Sequence, residues 1–330
     1  MRYFGAAIFG CSGPQLTTQE RAFFRDFNPF GFILFARNVF DKDQLTDLCA
    51  SLREVVGRDA PILIDQEGGR VQRLRSPLAS DWLPPLDHAD ALGDSAERGF
   101  FLRYRIIADE LKAIGIDANC APDLDVAQND THEFLKNRCY GFDPARVSRL
   151  GRAAAKGLLA GGVLPVIKHI PGHGRATLDS HHALPMTGAS ASELEADFAP
   201  FRALNDMPMA MTAHVVFSQL DAKPATTSKP IIDLIRNDIG FSGLLMGDDV
   251  SMQALSGGID DRAAASLEAG CDVVLHCNGD IGEMRSVAEV AGEMGIQAQT
   301  RAERALERRR PPQQVDIAAL KAELEALTGR

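Results

Sequence analysis

"PVIKHIPGHG" (residues 165–174) starts as a strand and ends as a loop that carries chemistry. Val166 and Ile167 are β-branched and favour extended backbone, Lys168 and His169 follow them, and Pro171, Gly172 and Gly174 deny helix to what comes next. A short apolar run recurs along the chain, and most of these runs end on a polar residue. The other runs are "AAIFG" from residue 6, "GFILF" from 31, "PILID" from 61, "IDANCAPDLDV" from 116, "PMAMTAH" from 208, "GLLMGDD" from 243 and "CDVVLHC" from 271. Together they make eight, separated by longer charge-patterned segments of helical period, which is how strands and helices alternate around a parallel sheet. Eight such units predict an α/β fold: a single-domain (β/α)8 TIM-type barrel over residues 1–310. Residues 311–330, "PPQQVDIAALKAELEALTGR", then read as a C-terminal helical tail after a Pro-Pro stop, amphipathic and solvated.

Composition narrows the function. The chain has 330 residues, 45% of them apolar, enough for a large core. A net charge of −10 and a pI near 5.3 repel polyanions, so neither nucleic acid nor an anionic membrane is expected as partner. A small molecule is expected, met by a monomer. The N-terminal "MRYFGAAIFGCSG" has an apolar run too short for an export signal and reads as the first strand. Six cysteines without disulfide or CxxC spacing fit a reducing compartment, so the expected location is cytoplasmic.

The polar residues that close the runs matter most: Asp65, Asp123, Lys168 with His169, His214, Asp248 with Asp249, and His276. In a barrel, all carboxyl strand ends open on one face, where the active sites of such folds lie. Their convergence predicts a site there.

The loop after strand five adds titratable groups, because residues 168–182 hold four of the chain's eight histidines. His169 and His173 have the i, i+4 spacing of a zinc pair on a helix, but the proline and glycines forbid that helix, so no metal and no cofactor is expected. The competing reading is proton transfer. Asp179 and His181 stand two apart in "DSH", so in an extended segment they point to one side and the carboxylate fixes the imidazole tautomer. Taken alone, that pair reads sooner as a surface Asp–His contact.

"KHIPGHG" (168–174) followed by "DSH" (179–181), with "DQEGGRVQR" (65–73) upstream and "GDDVSM" (247–252) downstream, resembles the β-N-acetylglucosaminidases of glycoside hydrolase family 3, NagZ type. The resemblance runs from about residue 30 to 280 and implies a retaining exo-β-N-acetylglucosaminidase. Its implied substrates are peptidoglycan fragments, the GlcNAc-1,6-anhydroMurNAc-peptides of cell-wall recycling. It implies Asp248 as nucleophile, with Asp249 the weaker candidate, and His181 as acid/base paired with Asp179. Asp65, Arg73, Arg138, Lys168 and His169 would hold the sugar, and Met252 would line the pocket. One departure is "NRCYG" (137–141), with Cys139 and Tyr140 where relatives usually have Ser and Phe, which bears on the seat of Arg138. The alternatives are a family 3 β-glucosidase or phosphorylase, or a catalytically silent muropeptide-binding sensor.

Overall fold

The computed structural model describes residues 3–176 and 184–329. Eight parallel strands form one sheet: Gly5–Gly10, Pro29–Leu34, Ile62–Ile64, Ala118–Asn119, Leu164–Ile170, Met209–Thr212, Leu244–Met246 and Val274–His276. They correspond one for one to the eight apolar runs. Each strand pairs with its neighbour in sequence, the eighth pairs back with the first, and a bridge between Met246 and Val273 joins the seventh to the eighth. This is the (β/α)8 barrel, with helices around it.

Side-chain parity divides the core into two layers. Ala6, Ile8, Leu164, Val166, Met209 and Met211 fill the barrel interior, whereas the alternate residues Ala7, Phe9, Ile167 and Ala210 pack under the helices. Every strand of the barrel is therefore buried on both faces, which is why most of them read as continuous apolar runs rather than as alternation.

Local chemistry sets the helix ends and spacing. Thr17 and Glu20 form a reciprocal capping box before helix Thr18–Phe27. Helix Lys42–Val56 starts on an Asp41 cap and stops at Gly57, whose φ of +64° suits glycine. Helices Ala96–Lys112 and Pro144–Ala160 pack closely because Gly157 has no Cβ to meet the Phe101 carbonyl, 2.5 Å from where one would stand.

Helix Ile317–Leu327 docks rather than standing free in solvent. It packs against Ala96–Lys112, buries Leu324 in the main core and pairs Glu323 with Arg98 at 2.7 Å. No helix among the described residues is long and apolar enough to cross a membrane.

Candidate active site

A cavity of about 250 Å³ opens over the carboxyl ends of the strands. Its wall includes Asp65, Arg73, Arg138, Lys168, His169, Asp248 and Met252, so the structure gathers seven of the nine sequence-predicted site residues around one space. The other two, Asp179 and His181, lie outside the described residues.

Parity explains the strand-borne part of this wall. Leu63 and Asp65 follow one face of strand three; Leu164, Val166 and Lys168 follow one face of strand five; Leu244, Met246 and Asp248 follow one face of strand seven. The same rule carries Met211, Leu275 and Cys277 to the apolar floor. It also sends His214 and His276 the other way. His214 is buried against Thr226 Oγ1 (2.8 Å) and the Asp249 carbonyl (3.0 Å), and His276 against Glu283 (2.9 Å). Asp123 is buried 3.8 Å from Arg138 without reaching the wall. Of the polar strand ends expected to converge, these three serve the frame.

A charge network holds the donors in place. Lys168 Nζ lies 2.9 Å from Asp65 Oδ1 and 2.6 Å from Glu67 Oε1, and Arg73 donates to Asp65 Oδ2 at 2.9 Å. Burial alone would raise the Asp65 carboxyl, but Lys168 and Arg73 reverse that and hold it well below the usual carboxylate range. Burial would likewise lower the Lys168 ammonium, and the Asp65 and Glu67 carboxylates keep it above the ordinary lysine value. Arg138 makes a two-pronged pair with Glu67, both contacts 2.9 Å, so its guanidinium is seated even with Cys139 and Tyr140 beside it. Both of those neighbours are buried away from the wall, Tyr140 bonded to Tyr104 at 2.6 Å.

A short hairpin, Gln66–Gly68 with Val71–Gln72, carries Asp65 and Arg73 to their places. The Gln66 side chain accepts from the Arg73 and Leu74 N–H groups, and Asn119 on strand four clasps the Gln66 main chain from both sides. Gly68 has φ +115° and a side chain there would overlap the Arg103 guanidinium, so the glycine is needed for close packing. Gly174 is likewise pressed onto the Val126 carbonyl.

Sequence reasoning missed Glu67, Asp125 and His173 as parts of this site. Asp125 Oδ2 lies 2.7 Å from His169 Nδ1, and its Oδ1 accepts the N–H groups of His173 (2.7 Å) and His169 (3.3 Å). The carboxylate thus fixes the ring that faces the cavity, leaving His169 Nε2 toward Arg138 at 3.4 Å. Asp125, His169 and His173 also form a group whose polar atoms lie within 4.8 Å of one another, close enough to hold a metal ion. Three donors already occupy Asp125, and the Arg138 cation stands beside His169, so Asp125 and His169 are built as a hydrogen-bonded support.

Two adjacent carboxylates differ sharply. Asp249 accepts from Ser251 N (3.0 Å), Ser251 Oγ (2.7 Å) and Cys277 N (3.1 Å), bracing the turn after strand seven. Asp248 accepts one hydrogen bond, from Asp249 N at 2.8 Å, and faces the cavity. Burial would raise its pKa, but His214, His169, the Asp249 N–H and Lys168 outweigh burial and hold it below the ordinary value. It is an ionised, lightly engaged carboxylate, suited to attack an electrophilic carbon or to stabilise a cation.

The model of the glycosyl hydrolase family 3 N terminal domain matches residues 14–309. A β-hexosaminidase from Neisseria meningitidis is 40% identical over 275 residues, 80% of this chain and 75% of that protein. A β-hexosaminidase from Stenotrophomonas maltophilia is 35% identical over 284 residues, 83% of this chain and 84% of its own. The crystal structure of NagZ from Neisseria gonorrhoeae in complex with N-trifluoroacetyl-D-glucosamine superimposes with a TM-score of 0.88 at 33% identity, covering 99% of this chain and 98% of that one. With the family model spanning the barrel and its site, the chain belongs to glycosyl hydrolase family 3 and is a glycoside hydrolase.

Proposed function

We propose that the chain is a retaining exo-β-N-acetylglucosaminidase that removes terminal N-acetylglucosamine from peptidoglycan fragments of the GlcNAc-1,6-anhydroMurNAc-peptide type. The β-hexosaminidase names of its relatives and the N-acylglucosamine analogue bound by the Neisseria gonorrhoeae neighbour support the sugar. The observation that carries the mechanism is the contrast within the pair: Asp248 is free to react and Asp249 is occupied.

Asp248 attacks the anomeric carbon and forms a glycosyl ester while His181, as imidazolium, gives its proton to the leaving oxygen. The neutral His181 then takes a proton from water, which displaces Asp248 from the opposite face, so configuration is retained. Asp179 holds His181 in one tautomer. Asp65 accepts from sugar hydroxyls, while Arg73, Arg138 and Lys168 donate, and the ion pairs among them fix these groups before the sugar arrives. His169 binds the sugar in an orientation set by Asp125, and Met252 lines the pocket.

Release of nitrophenol from the β-N-acetylglucosaminide, with little from the β-glucoside, is the expected result with purified protein. Preference for the glucoside, a phosphate-dependent product, or binding without turnover would each replace this reading with another.

A further inference from the structure

The side chain of His173 has no hydrogen-bonding role in the site described above. It lines the cavity, is 3% exposed, and is the only polar side chain on that wall among the described residues that makes no hydrogen bond, because neither Nδ1 nor Nε2 has a partner. Buried polar atoms are nearly always paired, and leaving one unpaired costs stability, so a wholly unpaired imidazole facing a binding cavity calls for a ligand.

The main chain around this ring is fixed in advance. Its N–H donates to Asp125 Oδ1 at 2.7 Å, its carbonyl accepts from Ala176 N at 3.0 Å, and Gly174 is packed against Val126. The ring stands edge-on to His169, with centroids 5.4 Å apart and an angle of 74°. Burial first, and then His169 beside it, pull its pKa down to about 3, so at neutral pH the imidazole carries one donor and one acceptor and no charge. A carboxylate or phosphate would leave the acceptor nitrogen unmatched, and a cation is disfavoured by Arg138 nearby. A hydroxyl, which both donates and accepts, suits either nitrogen.

We propose that His173 is a further sugar-binding residue, which hydrogen-bonds a hydroxyl of the pyranose held in this cavity. The proposal depends on the carbohydrate reading given above. It makes His173 part of the site that discriminates one hydroxyl pattern from another, since a buried polar group rejects the analogue that leaves it unpaired.

The test is a cycle of enzyme against substrate. The nitrophenyl β-N-acetylglucosaminide and its 3-, 4- and 6-deoxy analogues are assayed with wild type, His173→Ala and His173→Asn. In wild type, removing one particular hydroxyl should lower kcat/KM about tenfold, the size of one buried neutral hydrogen bond, and in His173→Ala that same removal should cost less than about threefold. Penalties for the other hydroxyls should be equal in the two enzymes. His173→Asn keeps a donor and an acceptor and should restore part of the lost discrimination; it also serves if the alanine variant does not fold. A merely structural role, or a water resident on the ring, would scale activity equally for every analogue. Equal deoxy penalties in all three enzymes would therefore overturn the proposal, as would a His173→Ala enzyme with wild-type kcat/KM. Wild type inactive on the parent glycoside would instead overturn the functional reading, and the same cycle run by calorimetry on the free sugars would still decide His173.

Discussion

Asp248 and Asp249 are chain neighbours with opposite duties: Asp249 spends both oxygens on Ser251 and Cys277, while Asp248 takes a single N–H from Asp249 itself. Replacing them should therefore separate stability from activity. Asp249→Ala should lose on the order of 1–3 kcal/mol of stability through the unpaired Cys277 and Ser251 donors, with part of its activity kept. Asp248→Asn keeps an acceptor for the Asp249 N–H, and should lose less stability than Asp249→Ala and be inactive. Thermal melts and turnover on the same preparations decide this, and equal stability losses in the two variants would contradict it.

Glu67 should prove structural and functional together. Its carboxylate lies between Arg138 and Lys168 with no exposure, so Glu67→Gln leaves two buried cations short of a counter-charge. Breaking such a pair costs roughly 3–5 kcal/mol, and the loosened cations should also raise KM for the sugar. Urea denaturation and steady-state kinetics measure the two effects. A variant of wild-type stability would show that Asp65 alone carries the charge balance.

Acid sensitivity follows from His173. In the folded chain its pKa is about 3, against the ordinary 6.5, so between those values the unfolded chain binds a proton that the folded chain does not. The stability is complete above about pH 6.5 and falls as pH drops toward 3, by on the order of a few kcal/mol. His173→Asn lacks the titrating group, and its stability should fall less steeply through that window. Parallel curves from chemical denaturation between pH 4 and 7 would contradict the expectation.

Turnover should survive exhaustive EDTA treatment. Asp125 is committed to three donors, and the Arg138 cation stands 3.4 Å from His169 Nε2, so an ion held by Asp125, His169 and His173 would have to displace bonds already made beside a positive charge. Loss of activity that zinc restores would assign the group to a metal.

The barrel was legible because its strands are buried on both faces and most of them announce themselves as an unbroken apolar run. Among the polar strand ends, the site was legible where strand parity carries a residue inward. Asp65, Lys168 and Asp248 continue the interior faces of their strands, while His214 and His276 looked equivalent in the sequence and turn outward by one residue of register. Counting parity from Met211 and Leu275 would have separated them. Glu67 and Asp125 were not legible in the same way. Their partners lie far along the chain, Arg138 from Glu67 by 71 positions and His169 from Asp125 by 44, and only closure of the barrel brings them together. The terminal helix looked solvated because its single buried anchor, Leu324, lies among charged residues that stay at the surface, one of which, Glu323, pairs with Arg98 across the interface.

The central claim is that Asp248 is the group that becomes covalently bound to sugar. A 2-fluoro or 5-fluoro glycoside with a good leaving group slows the second displacement and lets the ester accumulate, and peptide mass mapping then reads its position. The account predicts one added glycosyl mass per chain, on the peptide containing Asp248, with fragmentation placing it on that residue and none formed by Asp248→Ala. A label on Asp249 or Asp65, or an Asp248→Ala enzyme that keeps substantial turnover, would contradict it.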